Sequence, residues 1–233
     1  MIRECIATLV RGQDLSHDEA ADAMKEIMDG EATPSQVASF ITALRMKGET
    51  VSEITGMATS MREKSLKVAT DGFVVDTCGT GGDGQNTMNV STAAALVTAA
   101  AGVKVAKHGG RAASSQCGSA DILEANGVKI EMSPEGVEQC LAEVGIGFMF
   151  APAFHPSMRH AGPTRRDIGI RTVFNVLGPM TNPASPQAQI LGVAEPEIGD
   201  KMAQVLARLG TQRAMVVHGR EGLDEISISG PTK

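Results

Sequence analysis

The feature that most constrains the fold of this chain is a change in hydrophobic pattern near residue 73. From there on, short apolar runs alternate with longer segments of helical period, and the short runs are FVV, VKVAKH, VKIE, IGFMF, ILGVA and QRAMVVHG. Strand–helix alternation of this kind predicts an α/β fold with a mainly parallel sheet flanked by helices. Ligands of such sheets bind beyond the carboxyl ends of the strands. The stretch 151–188 has a looser pattern.

The first 70 residues carry a different, helical pattern. Three capping boxes, in which a hydroxyl and a Glu or Gln three residues later satisfy each other's backbone donors, predict helix starts at Ser16, Thr33 and Thr50. Gly30 and Gly48 are the expected helix stops. This part of the chain is predicted to form a small helical bundle.

The length of 233 residues suffices for two domains, and we expect a helical one at 1–70 and an α/β one at 71–233.

The composition and the sequence pattern exclude several classes of protein. No apolar run approaches the ~20 residues of a membrane span, and no basic segment followed by an apolar one opens the chain, so we expect a cytoplasmic protein without a membrane partner. The net charge of -6 argues against nucleic acid as a partner. The four cysteines contain no C-x-x-C pair, which excludes a zinc knuckle and a redox pair.

A glycine loop, DTCGTGGDGQN, follows the first predicted strand. Gly79, Gly81 and Gly84 have the G-x-G-x-x-G spacing of a dinucleotide-binding loop. The next strand, however, ends in the basic pair 107–108 instead of the acid that holds a ribose, and Gln85 stands where a Walker A loop needs lysine. We therefore expect the glycine backbone to bind phosphate through its N–H groups in another way.

Asp83 and three neighbouring segments strengthen the phosphate interpretation, although each has a plainer alternative. Asp83 inside the loop requires a cation or water between itself and an anion, unless it only caps its own turn. The helix start at 89–92 offers hydroxyls and free N–H groups, as ordinary capping also does. The basic loop 107–115 suits a polyanion but is equally typical of a solvated turn. Ser119 is either a phosphate donor or a helix cap.

Acidic and basic residues further along complete the candidate set. Asp224 and Glu225 follow a predicted strand, and two adjacent carboxylates are relieved by a hard cation; the alternative is a solvated turn. His155 and Arg165 lie in the stretch 151–166, where they suit either an anionic, planar second substrate or hydrogen bonds to loop backbone.

Taken together, DTCGTGGDGQNTMNVST, KHGGRAASSQCGSADILEANGV, RTVFNVLGPMTNP and VVHGREGLDEIS resemble the anthranilate phosphoribosyltransferase family, in order and over nearly the whole chain. The resemblance implies an enzyme of tryptophan biosynthesis. It would transfer the phosphoribosyl group of 5-phosphoribosyl-1-pyrophosphate (PRPP) to the amine of anthranilate and release pyrophosphate, with Mg²⁺ as cofactor, two ions per site. The N-terminal helices resemble the dimer-forming domain of that family, which implies a homodimer.

The resemblance also implies roles for individual residues. PRPP would be held by Gly79, Gly82, Asp83, Thr87, Asn89, Val90, Ser91, Thr92, Lys107, His108, Gly109, Gly110, Arg111, Ala112, Ala113, Ser114, Ser115 and Ser119. Magnesium would be held by Ser91, Asp224 and Glu225, and anthranilate by Gly79, His108, Gly110 and Arg165. Lys107 would stabilise the leaving pyrophosphate. No residue is expected to act as acid or base, because the aromatic amine is already neutral at pH 7.

Two departures from the family pattern stand out. The family usually reads K-H-G-N where this chain has Gly110, so an amide near the acceptor is missing. The family also continues past the position of residue 233, so the sheet is expected to lack its C-terminal part. The alternatives are a pyrimidine nucleoside phosphorylase-like enzyme, an inactive truncated or nucleic-acid-binding relative, and a fragment that supplies only the dimer-forming helices.

Overall fold

The N-terminal segment folds into four helices whose starts follow the predicted capping. The structure, a computed structural model, describes residues 1–85, 87–112 and 117–233. The helices are α1 (Ile2–Val10), α2 (His17–Met28), α3 (Pro34–Lys47) and α4 (Val51–Lys64). All three predicted capping boxes are present at the starts of α2, α3 and α4. Gly30 and Gly48 follow α2 and α3 with φ of 77° and 87°, a conformation that favours glycine.

The stretch 151–188, which has a looser sequence pattern, contains several helices that were not predicted from the sequence. It contains α8 (Ala151–Phe154), a 3₁₀ turn (Pro156–His160), α9 (Gly162–Ile168) and α10 (Phe174–Met180). These helices are short and proline-rich, and no long apolar period therefore marks them in the sequence.

Contacts divide the chain into two units. The helical unit comprises residues 1–65 and 155–181, and the α/β unit comprises 66–154 and 182–233. The predicted division at residue 70 differs from this, because it did not place residues 155–181 with the N-terminal helices. Within the helical unit, Phe40, Leu44 and Ile54 are almost fully buried and form part of its core.

The α/β unit contains a five-stranded sheet in which every strand pairs in parallel. The strands are β1 (Val75–Gly79), β2 (Val105–Gly109), β3 (Ile146–Phe150), β4 (Ala188–Gly192) and β5 (Arg213–Val217). Their spatial order is β3-β2-β1-β4-β5. The intervening helices are α5 (Val90–Ala100), α6 (Ser119–Ala125), α7 (Pro134–Glu143) and α11 (Gly199–Arg208). The predicted combination of a helical bundle and a parallel sheet flanked by helices is thereby confirmed.

One predicted strand does not form. VKIE at 128–131 has no strand structure, because β2 and β3 hydrogen-bond directly to each other along their whole length and leave no place between them. The buried Ile130 instead packs with Leu123 of α6 and Phe148 of β3. The apolar side chains that suggested a strand serve this small core cluster.

The strand order creates a switch point at β1. Its neighbour on one side is the next strand in the chain, β2, whereas its other neighbour is β4. Connections that run in opposite directions from adjacent strands leave a crevice beyond their carboxyl ends, where α/β proteins bind ligands. The glycine loop begins at that crevice, since Gly79 ends β1 and pairs with Gly192 at the end of β4.

None of the helices in the described ranges is both long and apolar enough to cross a membrane.

Candidate functional site

The glycine loop beyond β1 is built around Asp224. The backbone N–H of Gly81 donates to Asp224 Oδ2 at 3.1 Å. A Cβ atom on Gly79 would stand 2.7 Å from the same oxygen, and one on Gly192 would stand 1.6 Å from the Asp224 carbonyl oxygen. The ends of β1 and β4 must therefore be glycine for this carboxylate to reach the crevice. Gly81 and Gly82 have φ of 63° and 83°, a left-handed backbone conformation that favours glycine.

Three carboxylates face one another at this edge of the sheet. Burial, followed by the charge of Asp83, raises the pKa of Asp224. Burial and then the charge of Asp224 raise the pKa of Glu225 to about 7, against the partial opposition of Lys107 and of the Ser91 backbone N–H. Oδ2 of Asp83 is buried and has no hydrogen-bond partner among the described residues. The protein alone leaves this acidic group poorly compensated, as is typical of a site that receives a cation.

A buried lysine lies beside the acids. Lys107, in the middle of β2, is only 2 % exposed. Its Nζ donates to the carbonyl oxygen of Thr77 at 2.5 Å and to Ser91 Oγ at 3.3 Å. Burial lowers the pKa of Lys107, while the charges of Asp76, Cys78 and Glu225 oppose the shift. The ammonium is thus held under the start of α5, next to the acidic pair.

The first turn of α5 joins the neighbouring strand and helix. Thr77 Oγ1 donates to the carbonyl oxygen of Ser91 at 2.8 Å, and Thr92 Oγ1 donates to Ser119 Oγ at 3.0 Å. Asn89, which precedes the helix, donates through Nδ2 to the carbonyl oxygen of Cys117 at 2.9 Å. The first turn of α5 therefore contacts β1 and the start of α6, and the positive end of its helix dipole lies at the crevice.

The basic loop after β2 is only partly described. His108 and Gly109 end β2 and Gly110 follows it, with 4.0 Å between an added Cβ on Gly110 and the nearest atom, the Cβ of Ala151. The predicted site residues Ala113, Ser114 and Ser115 lie outside the described residues.

Most of the described residues predicted for PRPP and magnesium converge on the crevice. They are Gly79, Asp83, Asn89, Ser91, Thr92, Lys107, Ser119, Asp224 and Glu225. Gly82 lies in the same loop, and Val90 is the first residue of α5. Thr87 is exposed just before that helix.

Arg165, the predicted acceptor residue, belongs to the helical unit. It lies in α9 with its guanidinium 5.8 Å from the centre of the Phe174 ring. Burial, followed by the repulsion of Arg171, lowers the pKa of Arg165. A half-buried arginine that faces another arginine is suited to bind an anion. His155, in the same unit, is 6 % exposed.

Comparison with known proteins decides the family. The glycosyl transferase family a/b domain matches residues 71–233, and the helical bundle domain of the same family matches residues 3–65. The anthranilate phosphoribosyltransferase of Herpetosiphon aurantiacus is 61% identical over 231 residues, which is 99% of this chain and 68% of that protein. That of Chloroflexus aurantiacus is 62% identical over 230 residues, with the same coverage of both chains. This chain belongs to the anthranilate phosphoribosyltransferase family.

Solved structures of the family agree with the fold. The anthranilate phosphoribosyltransferase of Thermus thermophilus superimposes with a TM-score of 0.90 at 49% identity, over 95% of this chain and 67% of that one. The Saccharomyces cerevisiae enzyme, solved in complex with PRPP and Mg, gives a TM-score of 0.90 at 33% identity, over 97% and 68%. Membership of this family favours phosphoribosyl transfer over the nucleoside phosphorylase alternative. The chain spans about two thirds of the length of these relatives.

Sequence reasoning missed a polar cluster on the other face of the sheet. Asn182 Nδ2 donates to Asp76 Oδ2 at 2.9 Å and to the carbonyl oxygen of Ala106 at 2.8 Å, which ties β1 to β2. Gln189 Nε2 lies 3.5 Å from the same Asp76 oxygen and donates to Cys78 Sγ at 3.1 Å. The sequence signal for this cluster was the presence of two polar residues, Asp76 and Gln189, within segments that form strands.

Proposed function

We propose that this chain transfers the phosphoribosyl group of PRPP to the amine of anthranilate and releases pyrophosphate, as a step of tryptophan biosynthesis. The observation that carries the proposal is the meeting of Lys107, the α5 N-terminus and the pair Asp224–Glu225 at the switch point of the sheet. These groups can surround the charged leaving group of such a reaction. Relatives of known structure hold PRPP with Mg, or 4-fluoroanthranilate.

Cleavage of the C1–O bond of PRPP leaves a ribosyl cation-like transition state and develops negative charge on pyrophosphate. The step needs stabilisation of that charge more than it needs a base. The Lys107 ammonium supplies one positive charge, and the N-terminus of α5 adds the positive end of its helix dipole. Because these donors are placed before the reaction begins, little reorganisation opposes the step.

The acidic residues fit magnesium. Asp83 has a buried oxygen without a partner among the described residues, and burial together with the neighbouring carboxylates raises the pKa values of Asp224 and Glu225. No complete cluster of three or more His, Cys, Asp or Glu side chains stands ready for a metal within the described part of the chain. Mg²⁺ is usually bound by one or two carboxylates together with substrate phosphates and water, so an incomplete protein cage suits it. Magnesium bound there would neutralise charge on the pyrophosphate oxygens.

The proposal includes protein ligands for the metal and for the acceptor. We assign Asp224, Glu225 and Ser91 to magnesium, with two ions per site, and Asp83 to PRPP. Arg165 is assigned to the carboxylate of anthranilate, to which its guanidinium can donate two parallel hydrogen bonds. His108, Gly79 and Gly110 are assigned to the acceptor side. The homodimer and the cytoplasmic location also belong to this proposal.

Calorimetric titration of the chain with PRPP, with and without MgCl₂, tests the proposal. We expect saturable binding that strengthens with magnesium, together with pyrophosphate release once anthranilate is added. Phosphorolysis of uridine or thymidine is the control reaction and should be absent. Binding that ignores magnesium, or phosphorolysis without pyrophosphate release, would overturn the assignment.

A further inference from the structure

One carboxylate fastens both ends of the loop that joins β2 to α6. Asp121, in the first turn of α6, accepts through Oδ2 from the backbone N–H of Ala112 at 2.9 Å and from that of Gly118 at 2.8 Å. These two donors lie on either side of residues 113–116. A single oxygen atom therefore sets the distance between the ends of the loop, and both N–H groups are occupied by it.

The other oxygen of Asp121 engages Arg111. Arg111 Nη1 donates to Asp121 Oδ1 at 3.0 Å and to Glu124 Oε2 at 2.7 Å, and Nη2 donates to Glu124 Oε1 at 3.1 Å. The guanidinium also lies 5.7 Å from the centre of the Phe150 ring. Two acids and an aromatic face thus hold the positive charge of Arg111.

The two ends of the loop also touch directly. A Cβ on Gly118 would stand 2.4 Å from the backbone nitrogen of Ala112 and 2.8 Å from the carbonyl oxygen of Gly110. That same carbonyl oxygen accepts from the backbone N–H of Ala120 at 3.1 Å. Glycine at 118 is required because any side chain would separate the two ends.

The fastened ends carry groups assigned to PRPP. Ser119 follows Gly118 directly and accepts from Thr92, and the carbonyl oxygen of Cys117 accepts from Asn89. Gly110 continues the strand that holds Lys107. The position of the loop ends therefore determines how the starts of α5 and α6 stand around the phosphate site.

We propose that Asp121 is a positioning residue for PRPP and that Arg111 is its charge partner in the loop, not a phosphate ligand. The inference rests on the proposed function and modifies one of its predicted contacts. Fixing the two ends of the loop, at residues 110–112 and 117–119, before the ligand arrives lowers the entropic cost of binding. The two backbone hydrogen bonds to the carboxylate contribute most, because the ion pair with the half-exposed Arg111 is screened by solvent.

Calorimetric titration of the full chain with PRPP and MgCl₂ tests the role of Asp121. We expect Asp121→Ala to raise the Kd for PRPP by roughly tenfold or more, because both N–H groups lose a charged acceptor. Asp121→Asn should raise it only by about threefold, since an amide oxygen still accepts from both donors. Glu124→Gln is the matched control: it weakens the Arg111 pair without touching the loop backbone, and should stay within about twofold of wild type.

Two further variants separate positioning from folding and from direct binding. Gly118→Ala keeps every charge but wedges the loop ends apart, and it should weaken PRPP binding as Asp121→Ala does. Arg111→Gln should lose little affinity compared with Lys107→Ala. In turnover assays Asp121→Ala should raise the KM for PRPP while kcat and the KM for anthranilate change little. Amide exchange measured by NMR should be slow at 112 and 118 in wild type and fast in Asp121→Ala.

The outcomes discriminate between the two claims. A wild-type chain that does not bind PRPP defeats the proposed function itself. A wild-type chain that binds, together with an Asp121→Ala variant of unchanged Kd, defeats only the positioning role. Loss of affinity in Arg111→Gln equal to that in Lys107→Ala would show that Arg111 is a phosphate ligand after all.

Discussion

Each unit of this protein buries a lysine and an acid, but the pKa of the lysine is raised in one unit and lowered in the other. In the helical unit Glu53 is fully buried and accepts from the backbone N–H of Leu15 at 2.9 Å, that of Thr50 at 2.7 Å and Lys47 Nζ at 3.0 Å. Lys47 also donates to Asp14. Although burial lowers it, these hydrogen bonds leave the pKa of Lys47 raised.

In the α/β unit the balance is reversed. Burial lowers the pKa of Lys107, and the pKa values of Asp224 and Glu225 are raised. The charges of the helical unit pair with one another and tie the end of α3 and the start of α4 to the loop before α2. Among the described residues of the α/β unit, by contrast, neighbouring carboxylates repel one another and keep raised pKa values. Buried charges that the protein does not compensate indicate a ligand-binding site. The pair Lys47–Glu53 is therefore structural, whereas Lys107 and the acids near it are assigned to function.

The largest effect should come from Lys107→Ala. Loss of the ammonium removes a preorganised charge at the leaving group, so turnover should fall by about 10²–10³. Affinity for PRPP should fall as well, measured by pyrophosphate release and by calorimetry. Lys47→Ala is the matched control, because it removes the buried lysine of the other unit. It should lower the free energy of unfolding and leave turnover per folded molecule unchanged; unaltered kinetics in Lys107→Ala would contradict its assignment to pyrophosphate.

Glu53→Gln should produce the largest loss of stability. The change leaves Lys47 buried beside a neutral group, and breaking a buried ion pair in this way costs about 3–5 kcal/mol in unfolding free energy, with the lower end expected because Asp14 remains. Urea denaturation measures it. Glu63→Gln, at an exposed position of the same helix, should change stability by less than about 0.5 kcal/mol. Equal effects from both substitutions would remove the structural role of Glu53.

The double variant Asp224→Asn, Glu225→Gln should do the reverse of Glu53→Gln. It removes carboxylates that repel each other, so the ligand-free chain should melt a few degrees higher, equivalent to about 1 kcal/mol. PRPP binding should at the same time lose its dependence on magnesium. Calorimetry with and without MgCl₂, alongside thermal melting, measures both. A variant that responds to magnesium as wild type does would refute the metal assignment.

Gly110→Asn should have a smaller, opposite effect on function. The space around Gly110 admits a side chain, and an added amide could donate to the acceptor. One new hydrogen bond predicts a KM for anthranilate lowered by roughly threefold to tenfold. Steady-state kinetics with PRPP in excess measure it. A raised KM would indicate that this chain prefers a different acceptor.

Asp76→Asn should have the smallest effect, and it tests a buried acid of the α/β unit that lies outside the candidate site. Asp76 is buried in the sheet, on the face opposite Thr77, and burial raises its pKa above the ordinary value of 3.8. The native state therefore binds a proton more tightly than the unfolded chain, and stability declines as pH rises from 3.8 through the raised pKa. The variant should flatten that part of the curve, followed by urea denaturation across pH. A curve parallel to wild type would mean that Asp76 ionises without cost.

Local signals predicted the fold better than long-range ones did. Capping at Ser16, Thr33 and Thr50 involves only residues three positions apart, so the helix starts could be read directly. The strand expected at 128–131 failed because its apolar residues fill a core cluster, which depends on tertiary packing. The return of 155–181 to the helical unit is likewise a property of the folded chain.

The candidate site shows the same division. Motifs identified the glycine loop, Lys107 and the acidic pair because each is a short sequence with its own chemistry. The role of Asp121 could not be predicted, since nothing in the sequence shows that one oxygen accepts hydrogen bonds from N–H groups at both ends of a loop. The sequence likewise contained no sign that the half-exposed Arg111, predicted as a PRPP ligand, pairs with Asp121 and Glu124.

The strand order also has a consequence for the order in which the protein folds. Val75 pairs with Val105 on one side and with Ala188 on the other, so the seam between β1 and β4 joins distant parts of the chain. Closing so long a loop costs more entropy than pairing β1 with β2, the next strand in the chain, and distant pairings slow folding. During refolding, circular dichroism should therefore recover before the ability to capture PRPP. A newly made chain would therefore contain its helices and part of its sheet before it gains catalytic activity.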